Sequence, residues 1–292
     1  FTLPTPFVHL CNRLSVIQFD SAEGLKTLLV GPSDWEHQRE TPFFAQLDQQ
    51  AGRLTGVMDK LIVRKTATVL DCLKSIGLSP EDVDYITYDH LHTQNVTRWL
   101  GGNGQQALFP NAKLLVMREE WESAQALIPW QNQWYCPNGI AAVPENKLIL
   151  LDDSVALGDG SVAIMRTKGH TEGNHSIVSH ADTGLIVTSE NGVSLDAYEP
   201  KHSTTPGLAA FAKQTGAEII INGNTMEYVV DQYISMVQEK SVAGPNPKDE
   251  RFPNVAPSSE VSAFWLFPGT TPTATVGEQE FGQLTLNAGV TA

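Results

Sequence analysis

The chain has 292 residues, 41% hydrophobic and 18% charged, with a net charge of −14, a composition that suits a globular protein with a sizeable core. The acidity argues against a nucleic-acid partner, which needs a basic footprint to displace counterions, and against an anionic membrane surface. Cys11, Cys72 and Cys136 are odd in number and widely spaced, and neither a membrane-spanning apolar run nor a signal-peptide pattern is visible, so the expectation is a cytoplasmic protein with free thiols.

In chain order, residues 15–19 and 27–30 read as short strands closed by Gly31-Pro32. Residues 33–55 form a polar stretch that is long for a structureless connection, which predicts a functional or partly helical segment. Val69, Leu70, Leu73 and Ile76 have helical spacing within residues 64–76, and Gly77 suits the cap that follows. Residues 84–88 read as a strand running straight into Asp89-His90-Leu91-His92. Lys113–Met117 is an apolar strand, and residues 118–127 read as a helix. Leu148–Leu151 and Val162–Arg166 are strands, and residues 176–179 and 185–188 form a hairpin about Asp182-Thr183-Gly184. Helices over 207–216 and 226–239 flank a strand over 218–222. No fixed-period repeat is visible.

The composition shifts near residue 240. This divides the chain into a main domain, 1–240, and a C-terminal extension, 241–292, rich in Pro, Thr, Ser and Gly. The extension carries Phe264-Trp265-Leu266-Phe267, an aromatic cluster foreign to disordered tails, so it is expected to pack on its own domain or on a second copy in a homodimer.

Three of the eight histidines fall where chemistry can be built. At a strand end, residues i and i+2 point to the same side, so His90 and His92 can reach one point. His170 lies after the strand Val162–Arg166, between Gly169 and Gly173, in a turn suited to presenting a side chain. Three neutral imidazoles suit a borderline metal such as zinc and leave a position open for water. His9, His37, His180 and His202 have no motif around them and read as loop or surface histidines.

The run from Asp89-His90-Leu91-His92-Thr93-Gln94-Asn95 through Leu100-Gly101-Gly102-Asn103-Gly104 to Phe109-Pro110-Asn111-Ala112, with Arg118-Glu119-Glu120 opening the next helix, resembles the metallo-β-lactamase superfamily. Within it, the run is similar to the N-acyl-homoserine lactonase-like hydrolases, which read His-x-His-x-Asp-His, Gly-Gly-Asn, Phe-Pro-Asn-Ala and Arg-x-Glu. Gly169-His170-Thr171-Glu172-Gly173 is similar to their Gly-His-Thr-Pro-Gly, and Glu190 stands where their bridging aspartate falls. The resemblance implies an α/β fold, an αββα sandwich of two mixed sheets flanked by helices, over residues 15–240. It also implies a first metal site at His90, His92 and His170, with Glu190 as its carboxylate.

The departures matter as much. The second site's ligand positions hold Gln94, Asn95 and Asn224, and neutral amides bind zinc or iron less well than imidazole or carboxylate. The resemblance therefore implies one divalent metal per chain, zinc or iron, with Gln94, Asn95, Asn224 and His175 facing a small-molecule substrate. Gln94 cannot accept a proton where the family has an aspartate, so the base must come from elsewhere: Glu190 first, Asp89 second. Trp99, Trp130, Trp134 and Tyr135 either line a pocket or belong to the core. Three functions fit this pattern. They are hydrolysis of a small ester or lactone, an iron oxygenase built on His90, His170 and Glu190, and a non-catalytic member with a decayed metal site.

Overall fold

A computed structural model describes residues 9–54, 56, 57, 60, 63–221, 228–264 and 268–286. Asn222, Asn224 and Trp265-Leu266-Phe267 lie outside the described residues. In chain order the strands are β1 (His9–Asn12), β2 (Ser15–Ser21), β3 (Gly24–Val30), β4 (Tyr85–Thr87), β5 (Lys113–Met117), β6 (Leu148–Leu151), β7 (Val155–Leu157), β8 (Val162–Arg166), β9 (His175–Ala181), β10 (Gly184–Ser189), β11 (Val255–Pro257) and β12 (Ser259–Ser262). The helices are α1 (Trp35–Gln38), α2 (Pro42–Ala51), α3 (Val69–Ser75), α4 (Val96–Leu100), α5 (Arg118–Gln125), α6 (Leu195–Tyr198), α7 (Leu208–Thr215) and α8 (Val229–Val242).

The chain divides into two units: Leu14–Asp152 with the segment that starts at Gln283, and Asp153–Gly282 with the segment that ends at Arg13. The first unit holds a five-stranded mixed sheet in the order β2-β3-β4-β5-β6. Only β2 and β3 are antiparallel; the other three pairings are parallel. Leu29, Ile86, Leu114 and Val116 from this sheet pack with Val69 and Leu73 of α3, Trp99 of α4, and Phe109. β4 and β5 are buried apolar strands, as central parallel strands must be. Their carboxyl ends lead into the His90 turn and into α5, the edge of a parallel sheet where ligands usually bind.

The second unit holds a five-stranded mixed sheet in the order β11-β10-β9-β8-β7, parallel only between β10 and β11, with β1 and β12 paired beside it in sequence as a two-stranded ladder. Val178 and Val187 pack with Tyr198 of α6 and Met236 of α8. The residues after Val242 thus supply β11 and β12. Each unit is thus a mixed sheet with flanking helices, an α/β arrangement.

Some boundaries moved. The polar stretch after Ser33 is partly helical, as α1 and α2. The helix expected from residue 64 starts only at Val69, because Thr68 and Asp71 form a reciprocal capping box there. Residues 218–221 form no strand. Ile219 is core, but Ile220 N–H bonds to the Ala197 carbonyl of α6 at 2.8 Å, so this apolar run has no ladder to join. No helix among the described residues is long and apolar enough to cross a membrane.

Candidate functional site

The first unit presents Asp89, His90 and His92 on the turn after β4, all buried. Asp89 Oδ1 accepts the His90 backbone N–H at 2.9 Å and lies 2.8 Å from His90 Nδ1. A carboxylate on Nδ1 fixes the ring and directs Nε2 outward, the arrangement typical of metal-binding histidines. The His90 and His92 rings stand edge to face, with centroids 4.8 Å apart. His92 Nε2 lies 3.1 Å from Gln131 Oε1, and its ring meets that of Tyr135 edge-on. Burial, reinforced by His90, lowers the His92 pKa to about 3, so this imidazole is neutral at ordinary pH.

Glu120 of α5 holds the turn from below. It is fully buried, and Oε1 accepts the Leu91 backbone N–H at 2.8 Å and the Tyr135 hydroxyl at 3.2 Å. The sequence showed Glu120 only as the end of the Arg-x-Glu motif; its task is to pin the residue between the two histidines.

Gln94 and Asn95 follow on the same turn. Gln94 Oε1 accepts the Ser33 hydroxyl at 2.9 Å. Asn95 is the N-cap of α4, its Oδ1 accepting Arg98 N–H at 3.0 Å. A small polar pocket is lined by Ser33, Asp34, His37, Gln94, Asn95 and Trp99. A larger cavity of about 530 Å³ is lined by Leu91, Gln94, Leu127, Tyr135, Cys136 and Ile140 among others. Tyr135 therefore borders space, Trp99 is core against Phe109, and Trp130 is exposed. Burial, with Glu40 and Asp34 adding to it, pushes the Cys136 thiol up to about 12.

The second unit presents His170 on the loop between β8 and β9. This loop is held by its own amides and by α8. His170 N–H donates to Asn191 Oδ1 at 2.9 Å. Asn191 Nδ2 donates to the Thr167 carbonyl at 3.0 Å and to Glu239 Oε1 at 2.7 Å. Asn174 Nδ2 donates to the same Thr167 carbonyl at 2.9 Å. Ser235 Oγ donates to the Lys168 carbonyl at 2.6 Å. Gly169 lies so close to α8 that a Cβ there would sit 2.3 Å from Gln232 Cα, which explains a glycine beside the histidine without any need for unusual dihedrals.

Glu239 of α8 is the hub of this half. It is fully buried. Oε1 accepts from Ser176 at 2.7 Å, Ser189 at 2.8 Å and Asn191 at 2.7 Å, while Oε2 accepts the Tyr198 hydroxyl at 2.7 Å. Burial raises its pKa, opposed by these donors. His175 opens β9 and is fully buried in the sheet. Glu190, at the end of β10, is 6% exposed and its Oε2 accepts the Ser259 backbone N–H at 2.7 Å. Nothing in the sequence marked Glu239, Asn191 or Gln232; their link to His170 is long-range.

The sequence is similar to that of the N-acyl homoserine lactonase AttM of Rhizobium radiobacter, 28% identical over 177 residues, covering 56% of this chain and 62% of the relative. It is also similar to an N-acyl homoserine lactonase of a Bacillus species, 32% identical over 138 residues, 46% of each chain. The chain covers less than two thirds of the length of either. The fold is similar to that of a mutant of the Bacillus thuringiensis lactonase AiiA with N-decanoyl-L-homoserine bound at the active site, with a TM-score of 0.51, 17% identity, and coverage of 83% of this chain and 79% of that one. No family model matches. The fold is the α/β metallo-β-lactamase fold. The relatives similar to the chain are named N-acyl homoserine lactonases.

Proposed function

We propose that this chain is a hydrolase of a small ester or lactone that works with one divalent ion, zinc, held by His90, His92 and His170, with Glu190 as the associated carboxylate. The observation that carries the reading is the buried pair at the end of β4: Asp89 orients His90 through Nδ1, and burial keeps His92 neutral. Metal-binding imidazoles must be neutral, and a carboxylate behind them raises their basicity. The site therefore fits the ion. Such an ion lowers the pKa of its water toward roughly 7 and polarises a carbonyl. Asp89 is then the group that orients His90 rather than a base. Glu190, whose Oε2 accepts the Ser259 N–H, is the carboxylate proposed to accompany the ion, and Gln94 offers an amide to substrate polar groups. The names of the relatives support lactones as the substrate class.

Metal analysis of the purified protein, with turnover on a panel of N-acyl-homoserine lactones and 4-nitrophenyl esters, tests this. The expected result is one equivalent of zinc and hydrolysis that falls by about 10³-fold or more in His90→Ala, roughly 4 kcal/mol of lost transition-state stabilisation. Two equivalents would overturn the single-ion part. Iron with oxygen uptake would select the oxygenase reading. Metal content and any detected turnover both unchanged in His90→Ala and His170→Ala would select the non-catalytic one.

A further inference from the structure

Well-packed proteins leave few voids much larger than a water molecule. The cavity of about 530 Å³ beside Leu91 is far larger, and it falls in the range of small-molecule sites, roughly 300–1,000 Å³. All the residues that line it belong to the unit Leu14–Asp152. Leu91, Tyr135 and Cys136 are its buried wall, and Leu127 and Ile140 are half-buried. Gln125, Asn132 and Asn138 are exposed and form a rim of amides.

We infer that this cavity is a binding site for an uncharged, mainly apolar small molecule that carries an amide or a similar hydrogen-bonding group. The inference does not rest on hydrolysis. Its first support is charge. The chain is 18% charged with a net charge of −14, yet no Asp, Glu, Lys, Arg or His lines the cavity. The small pocket next to it differs in this respect, being lined by Asp34 and His37. Burial pushes the Cys136 thiol up to about 12, so that group adds no charge either. A carboxylate or ammonium entering such a site loses hydration and meets no counter-charge. An apolar chain loses nothing against Leu91, Leu127 and Ile140, and the rim amides offer it both donors and acceptors.

The second support is that the walls are fixed. The Tyr135 hydroxyl donates to Glu120 Oε1 at 3.2 Å, and the same oxygen accepts the Leu91 N–H at 2.8 Å. Residues 136–142 are tied to α4: the Thr97 N–H donates to the Gly139 carbonyl at 3.0 Å, and the Thr97 hydroxyl to the Ala141 carbonyl at 3.1 Å. A Cβ on Gly139 would lie 2.5 Å from the Gln94 carbonyl oxygen, so this wall already sits as close to its neighbour as the backbone allows. A ligand entering a preformed cavity does not bear the cost of ordering it.

Titration calorimetry of the full chain with octanamide, hexanamide and octanoate at pH 7.5 tests the inference. Octanamide and octanoate have nearly the same shape and differ in charge. Octanamide should bind at least about tenfold more tightly than octanoate, and about tenfold more tightly than hexanamide, which lacks two methylenes. Ala124→Trp, which adds an indole to the half-buried wall on α5, should weaken octanamide by about tenfold or more. Should that variant fail to fold, Gln125→Lys combined with Asn132→Lys changes only exposed positions. The two cations at the rim should tighten octanoate at least about tenfold and reverse the preference. His90→Ala should leave octanamide affinity within about threefold of wild type. No saturable uptake of octanamide, octanoate bound as tightly as octanamide, or affinities that ignore the cavity variants would overturn the inference. Octanamide binding lost in His90→Ala would place the probe at the histidines and overturn it too. None of these results bears on whether the chain hydrolyses lactones, so the two readings fail separately.

Discussion

The two histidine-bearing turns are built by opposite means. The turn after β4 is oriented by side chains near it in sequence or one helix away: Asp89 on His90, Gln131 on His92, and Glu120 on the Leu91 amide. Its control lies in side-chain hydrogen bonds to the rings themselves. The loop that carries His170 is held through its backbone: Asn191 takes the His170 N–H, Ser235 takes the Lys168 carbonyl, and Gly169 lies against α8. Its control lies in packing on a distant helix, anchored at Glu239. The first arrangement orients its imidazoles with little dependence on the rest of its unit. The second ties a histidine to the folding of its unit.

That contrast predicts different readouts for the two halves, and the largest effect belongs to Glu239. Glu239→Ala strands buried donors from Ser176, Ser189, Asn191 and Tyr198, and should lower stability by about 3–5 kcal/mol in urea unfolding. Glu239→Gln keeps an oxygen where three donors converge, and Tyr198 can turn its hydroxyl to accept, so a loss of only about 1 kcal/mol is expected. The pH dependence has a definite sign. The folded pKa of Glu239 is raised above its usual 4.5, so the folded state binds the proton more tightly than the unfolded one. Its favourable contribution is complete below pH 4.5 and declines as pH rises through the folded value. Wild type should therefore lose stability relative to Glu239→Gln as pH is raised from 4. An unchanged difference would mean that the carboxyl is no more protonated in the fold than out of it.

The same contrast explains what could be read from sequence. His90, His92 and His170 stand out in the sequence because strand-end spacing and the glycine-flanked turn are local patterns. The strands Lys113–Met117, Leu148–Leu151 and Val162–Arg166 were legible because an apolar strand is written in consecutive residues. Glu239 was not: a glutamate at the end of an amphipathic helix looks solvated until the serines and the tyrosine that surround it are folded into place. Residues 218–221 failed for the converse reason. Their local preference for strand is strong, but no neighbouring strand among the described residues offers a ladder, and pairing partners are not a local property. His37 had no motif around it, and only the fold shows it lining one pocket with Gln94.

A middle-sized effect tests the other turn. Asp89→Ala removes the partner of His90 Nδ1. If that half is controlled through its rings, metal affinity should weaken by about 10–100-fold, the usual result of deleting a carboxylate behind a ligating histidine. The urea midpoint of the metal-free protein should move far less than in Glu239→Ala. Competition with a chelator gives the affinity, and unfolding of the metal-free protein gives the stability. A large stability loss with unchanged affinity would erase the distinction between the two turns.

The smallest effect bears on what replaced the second set of ligands. Asn95 occupies a position where the family pattern has a metal-binding histidine, and here its Oδ1 caps α4 by accepting Arg98 N–H. Capping asparagines contribute about 1 kcal/mol, aspartate substitutes well, and alanine does not. Asn95→Asp should therefore be close to neutral in urea unfolding, while Asn95→Ala should lose about 1 kcal/mol. Asn95→His, which restores the family residue, should lose a similar amount because imidazole is a poor N-cap. A neutral Asn95→Ala would leave the amide without a structural task and make this position a plain vacancy in the ligand set. The expected loss means the opposite. The chain cannot regain a histidine there without weakening the start of α4, a cost that favours the proposed single-ion arrangement.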